Sequence, residues 1–172
     1  GKVDQDFGNG WTSRLDLDLV SDRDYLTEFN GGMTGFKDSN KNFLDTFGRG
    51  FENKTDDQRN NSFTVQNSWG PTSLTARFLA IDDVRTITSS PTPLWRLPEI
   101  DYDGALPVGS VGNLVFNWDA DYVFFYREDG IGGHRIDLHP RLSAPIPLGP
   151  YLESRAEVGV REHGALLAAR GA

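Results

Sequence analysis

Along most of the chain apolar and polar residues alternate one by one, which is the period of a β-strand with two unlike faces. Reading for that period gives about seven strands. The first, near 11–20, interleaves Leu15, Leu17 and Leu19 with Arg14, Asp16 and Asp18. The second, near 62–69, sets Phe63, Val65 and Trp69 against Ser62, Thr64, Gln66 and Ser68. A Gly70-Pro71 turn leads to the third, near 72–82, where Leu74, Ala76, Phe78 and Ala80 oppose Thr75 and Arg77. The fourth, near 95–103, opposes Pro98, Ile100 and Tyr102 to Glu99, Asp101 and Asp103. The fifth, near 114–126, is the most regular. Leu114, Phe116, Trp118, Ala120, Tyr122, Phe124 and Tyr126 share one face, with Asn117, Asp119 and Asp121 on the other. The sixth, near 134–144, alternates Ile136, Leu138, Pro140 and Leu142 with Asp137, His139, Arg141 and Ser143. The seventh, near 151–161, alternates Leu152, Ala156, Val158 and Val160 with Glu153, Arg155, Glu157 and Arg161. Asn67 and Ser154 fall on apolar rows; Leu79, Ile81, Val115, Val123 and Phe125 fall on polar ones.

The connections carry a second pattern. Alternate connections of an up-and-down meander emerge at the same end, so the long segments 21–61 and 83–94 share a rim. The tight Gly70-Pro71 turn lies at the other rim, and this asymmetry is the habit of outer-membrane barrels. Strands of about ten residues, rising ~3.3 Å each and tilted ~45°, cover roughly 23 Å, close to the ~25 Å apolar band of such barrels. Trp11, Trp69, Tyr102 and Tyr151 are expected at the short-turn rim, Trp95 and Tyr126 at the other. Amphipathic rings gain most at a membrane–water boundary. The surface loop 21–61 is too long to be structureless, and a short helix over Lys37–Phe47 with Phe43, Leu44 and Phe47 clustering is expected within it. Asp38-Ser-Asn40-Lys-Asn42 begins like a calcium loop, but Phe43 stands where Gly is required and Arg49 where Glu is required, which excludes it.

Composition narrows the classes. The 172 residues suit one domain. A formal net charge of -8, from 25 acidic against 17 basic residues, excludes a nucleic-acid binder. The absence of cysteine excludes a disulfide scaffold and a thiolate metal site. No apolar run approaches the ~18–20 residues of a membrane-spanning helix. A mean hydropathy of -0.47 decides nothing, because a barrel shows lipid only every second strand residue. The N-terminal GKVDQDFGNG lacks a basic-then-apolar signal segment, so a mature, processed or partial chain is expected.

The expected fold is therefore all-β: an antiparallel up-and-down meander forming a section of a large transmembrane barrel. An odd strand count does not suit a self-contained bacterial barrel, and an open sheet leaves two unpaired edges, so the chain reads as an interior piece. The expected lipid-facing belt is Leu15, Leu17, Leu19, Phe78, Ile100, Leu114, Phe116, Trp118, Tyr122, Phe124 and Tyr126. The expected lumen-facing set is Asp16, Asp18, Arg77, Glu99, Asp101, Asp119, Asp121, Asp137, His139, Arg141, Glu153, Arg155, Glu157 and Arg161. A soluble sheet also alternates, which leaves a soluble β-sandwich or open barrel binding carbohydrate or lipid as the alternative.

Glu99, Asp101, Asp103, Asp119 and Asp121 also have the chemistry of a glycosidase pair or a cation site, with a hydrated acidic wall as the simpler reading. His134, His139 and His163 lack metal-pair spacing. There is no nucleophile elbow, phosphate-binding Gly loop or H-E-x-x-H, so neither enzyme activity nor a cofactor is expected.

Four segments in order resemble the LptD (organic solvent tolerance protein) family. They are WTSRLDLDLVSDRDYLTEF from Trp11, NSFTVQNSWGPTSLTARFLA from Asn61, LPEIDYDG from Leu97 and HRIDLHPRLSAP from His134. The resemblance covers roughly residues 11–162 and implies an interior section of that family's C-terminal barrel in the Gram-negative outer membrane. It also implies non-enzymatic delivery of lipopolysaccharide to the outer leaflet, with an LptE-like plug lipoprotein and an LptA-like periplasmic bridge as partners of the full-length protein. The chain departs from a full member in lacking the N-terminal β-jellyroll, the first and last barrel strands, and the cysteines many members carry. Arg77, Arg141, Arg155 and Arg161 are the candidates for contact with an anionic glycolipid or a plug protein. Cross-strand pairing among Arg141, Glu153, Arg155 and Glu157 is the competing use.

Overall fold

The alternation becomes a single antiparallel sheet. The computed structural model describes residues 1–20, 28–32, 35–53, 56–84, 92–109, 114–147 and 153–169. Its strands are β1 (Lys2–Gly8), β2 (Trp11–Asp16), β3 (Gln58–Trp69), β4 (Thr72–Asp83), β5 (Trp95–Val108), β6 (Leu114–Tyr126), β7 (Ile131–Pro147), β8 (Glu153–Gly159) and β9 (Glu162–Ala169). They follow sequence order from β1 to β8, and β9 also pairs with β7. The expected meander is present, as nine strands rather than seven. Among the described residues the edges β1 and β8/β9 do not pair with each other, so the sheet is not closed.

The differences from the expected strands have local causes. β1 was not anticipated, because a short strand reading KVDQDFG carries few apolar residues. Its turn signal is explicit: Gly8, Asn9 and Gly10 all have positive φ, so the chain reverses within the Gly-Asn-Gly segment. β2 stops at Asp16 rather than near 20, although Leu17 still exchanges backbone hydrogen bonds with Gly1. β5 runs on to Val108, and a bulge at Leu97–Pro98 shifts its register against both neighbours. Proline cannot donate to a ladder, which suits it to a bulge. β7 starts at Ile131 and reaches Pro147.

The seventh expected strand, near 151–161, is β8, and the chain goes on beyond it as β9, which was not expected; both run along β7 in one continuous register. Arg141 faces Gly159, and further down Leu138 faces Glu162. Across the gap the Val160 N–H donates to the Pro140 carbonyl at 3.1 Å, but Pro140 has no N–H to return the bond. The ladder is interrupted there without changing direction.

The connections sort by rim. The turns after β1 and β3 lie at one rim, and β2 and β4 end at the other, where β3 and β5 begin. In the longest connection α1 (Phe36–Phe47) forms where a helix was expected over Lys37–Phe47. Gly48, left-handed at φ 68, closes it by donating its N–H to the Leu44 carbonyl. Phe43 packs at 6.0 Å from Phe47 and 4.9 Å from Phe51, and Phe36 stacks on Phe51 at 5.9 Å. Leu44 is half exposed.

A conventional core is missing. Among the described residues Val123 is the one fully buried hydrophobic side chain. The strands pair edge to edge in one layer, and among the described residues no second sheet or helical layer covers them, the helix of the long connection approaching chiefly β1.

Candidate functional site

In an antiparallel ladder, residues directly opposite each other point to the same side. The register can therefore be followed from strand to strand. Leu15 faces Phe63, Phe63 faces Phe78, and Ala76 faces Ile100. Ile100 faces Tyr122 and Tyr122 faces Ile136, while Phe116 faces Leu142 and Leu142 faces Val158. Leu114, Trp118, Phe124 and Tyr126 lie on this same face, opposite Val108, Gly104, His134 and Trp95. One side of the sheet thus collects the apolar rows of all the strands. Leu17 and Leu19 fall beyond the end of β2, and Leu19 is largely exposed.

This apolar face is bare. Phe116 is 37% exposed, Leu138 44% and Val158 73%. Its side chains touch mainly one another: Phe63 stacks on Phe78 at 6.2 Å, and Trp118 contacts Tyr102 and Phe116 at 5.6 and 5.8 Å. The Trp118 indole lies flat over Gly104, where a Cβ would meet the ring at 2.3 Å. Glycine there is a packing requirement, the strand opposite filling the space with its own aromatic ring. His134 sits on this face too, accepting or donating one hydrogen bond with the Tyr122 hydroxyl (2.8 Å) and stacked on Phe124 at 4.7 Å.

Aromatic residues mark the rims. Trp11 and Trp69 adjoin the turns after β1 and β3, and Trp95 packs on Tyr126 at 5.7 Å at the opposite rim. Tyr102 lies mid-strand instead, because β5 continues to Val108. Tyr151 lies outside the described residues.

The other face carries the charge. Carboxylates stand directly opposite carboxylates: Asp101 faces Asp121, Asp121 faces Asp137, and Asp103 faces Asp119. Like charges in that position destabilise a sheet unless neutralised. Arginines one step along the neighbouring strand supply the neutralisation diagonally. Arg135 reaches Asp121 at 2.8 Å, Arg141 binds Asp119, and Arg161 reaches Asp137 at 2.7 Å. His163 adds a contact to Asp137 at 3.3 Å, His139 lies 4.0 Å from Asp119, and Ser73 Oγ donates to Asp103 at 2.7 Å. Glu99 lies 3.7 Å from Arg77 and 3.3 Å from Arg96.

The competing pairing also has geometry here, since Arg141 lies 3.9 Å from Glu157. Arg155 is exposed opposite Pro145, and Glu153 faces Pro147, with its side chain outside the described set. Among the described residues no three His, Asp or Glu side chains are arranged to hold a metal ion. The polar face also holds Val123 and Phe125, the latter under the Arg135 guanidinium at 5.7 Å.

At the β1–β2 end the polar face is reached by the long loop. Arg49, just past α1, donates to Asp16 at 2.8 Å and to both Asp4 oxygens at 2.6 and 2.8 Å. Lys2 joins Asp16 at 2.8 Å, and Arg14 lies 3.5 Å from Asp4. The hydrogen bonds that Arg49 donates to the Asp4 and Asp16 carboxylates push its guanidinium further above its ordinary value, so it is charged at any accessible pH. Asp18, expected in the lumen-facing row, is instead buried at the loop root. It accepts from Arg59 at 3.2 Å and from the Glu52 N–H at 3.2 Å, and its own N–H donates to Asn61 Oδ1 at 2.8 Å.

Sequence reasoning missed Lys2, Asp4, Arg49, Arg59, Arg135 and His163 as members of these networks. Arg135 and His163 lie on alternating rows and were open to the same counting. Arg49 and Arg59 come from distant segments, and no local spacing announces them.

Residues 1–168 match the family described as LptD, LPS transport system D. The chain is also similar to the LPS-assembly protein LptD of Marinobacter nauticus, 25% identical over 149 residues. That alignment covers 81% of this chain and 16% of the relative, so the chain spans about a sixth of the length of the relative it matches. With the family model matching nearly all of this chain, and the meander and two-faced sheet in keeping with that match, the chain belongs to the LptD family.

Proposed function

We propose that the chain is a wall section of an outer-membrane β-barrel whose apolar face meets lipid and whose charged face lines enclosed water. The observation that carries this reading is the bare apolar face: aromatic and aliphatic rows in one register, with no layer over them among the described residues. Water-exposed apolar surface of this extent is unfavourable by about 25 cal/mol per Å², whereas hydrocarbon removes the penalty. A sheet edge inside a bilayer is costly as well, so further strands of a longer parent chain pair with β1 and with β8/β9.

In the parent protein, this section serves the insertion of lipopolysaccharide into the outer leaflet, without bond-making chemistry of its own. Lipopolysaccharide and outer-membrane lipid are its ligands; an LptE-like plug and an LptA-like bridge are partners of the full-length protein. The arginines paired on the polar face neutralise the neighbouring carboxylates, which favours a hydrated wall there over a phosphate-binding surface.

The test uses the full-length parent chain carrying Phe116→Arg with Leu138→Arg, both on the apolar face. Loss of barrel insertion together with retention of lipopolysaccharide inside the cell is the expected result. Normal surface lipopolysaccharide with a normally inserted double variant would overturn the assignment of this face to lipid.

A further inference from the structure

The long connection does not simply project from its rim. Its longest described stretch, residues 35–53, comprises α1 and the turn after it, and two separate anchors draw it back to the sheet. The first is Arg49, whose guanidinium spans Asp4 on β1 and Asp16 on β2 with bonds of 2.6 to 3.0 Å. The register places both carboxylates on the charged face, since Lys2 faces Asp16 and Asp4 faces Arg14. The second is at the loop root, where Asp18 accepts from the Glu52 N–H and from Arg59, and Glu52 in turn accepts from the Asn60 N–H at 3.1 Å.

The two anchors differ in kind. Arg59 is buried with 1% of its side chain exposed, which makes it a permanent strut. Arg49 keeps 21% exposure and Asp4 42%, so water and salt reach that contact. α1 itself buries no residue, and its Phe43–Phe47–Phe51 cluster is internal to the loop. What holds this end of the loop against the sheet is therefore mainly charge at one arginine.

We propose that residues 35–53 form a strap, latched by Arg49 to Asp4 and Asp16, that lies against the charged face at the β1–β2 end and narrows passage along it. The latch is electrostatic and releasable; the buried Asp18–Arg59 pair is the hinge that keeps the root in place when it opens. The narrowing rests on the reading of the charged face as a water-filled wall, whereas the latch does not.

Two measurements on the full-length parent chain separate those parts. In detergent solution, trypsin cleavage after Lys37 and Lys41, both exposed on α1, reads the latch without any membrane. Arg49→Glu is expected to speed that cleavage about tenfold, Arg49→Lys much less, and 1 M salt is expected to speed it in the unaltered protein as screening shortens to ~3 Å. In vesicles, influx of a small hydrophilic solute reads the narrowing, and it is expected to rise several-fold with Arg49→Glu. Should Arg49→Glu fail the heat-modified gel shift of a folded barrel, the Asp4→Asn, Asp16→Asn pair removes the same latch from the sheet side. Unchanged cleavage in the folded variant overturns the latch; faster cleavage with unchanged influx overturns the strap as a constriction. A parent chain that never enters vesicles overturns the barrel reading while the cleavage result still stands.

Discussion

The charged face is built by two different rules in its two halves. Across β5–β7 the carboxylates are neutralised by arginines on the adjacent strand, as with Asp121 and Arg135 or Asp119 and Arg141. Across β1–β2 part of the neutralisation comes from Arg49, a loop residue 45 positions from Asp4 and 33 from Asp16. The first rule needs only the register, and each pair gains about 0.2–1 kcal/mol. The second needs a folded loop, and it ties the sheet's edge hairpin to a distant part of the chain. A wall of the first kind stands by itself; a wall of the second kind depends on its loop.

The sharpest contrast with the β5–β7 pairs comes at the loop root, where Arg59 stands at the rim in the row of Phe63 rather than on the charged face. Arg59→Met leaves Asp18 buried without its cation and is expected to cost about 3–5 kcal/mol, read by denaturant unfolding of the full-length chain in lipid. Adding Asp18→Asn is expected to recover most of that loss, since removing both charges of a buried pair is often nearly neutral. A similar loss from an arginine in the β5–β7 half would erase the distinction.

Next in size, Ala120→Arg, at the middle of β6 on the apolar face, is expected to cost ~2–4 kcal/mol. Asn117→Arg, on the charged face of the same strand, is expected to cost far less in the same unfolding measurement. Gly104→Val follows, at about 1–3 kcal/mol, because the new side chain displaces the Trp118 ring. Its direct readout is a change in Trp118 fluorescence. The smallest effect is expected for Arg141→Ala, within about 1 kcal/mol, because its contacts are exposed to water. A loss as large as that of Arg59→Met would show that the β5–β7 charges act as a coupled unit.

Much of this was open to a reader of residues alone. Period-two counting finds β3, β4, β6 and most of β7 because each has apolar rows long enough to reveal the alternation, Leu114 to Tyr126 above all. It misses β1 because Asp4, Gln5 and Asp6 dilute the apolar row to Val3 and Phe7. The helix in the long loop is legible from Phe43, Leu44 and Phe47, whose spacing is helical. Arg49 is not legible: its partners are fixed by how the loop folds back, and nothing near it in the chain encodes Asp4 or Asp16. Asp18 fails for a related reason, since the strand ends two residues before it and the alternation no longer governs its side. The extent of the seventh strand escapes counting because Gly164 and Ala165 blur the alternation and Pro140 breaks the ladder opposite Val160.

The most direct measurement places single probes on both faces of the full-length parent chain in vesicles, at Phe78, Phe116, Ile136 and Val158 and at Thr64, Asn117 and His139. Quenching of the first group by a lipid-dissolved quencher, and of the second by a water-dissolved one, is the expected result. Water-dissolved quencher reaching Phe116 and Ile136 as readily as Asn117 would contradict it, and would mean that the bare apolar face is turned to something other than hydrocarbon.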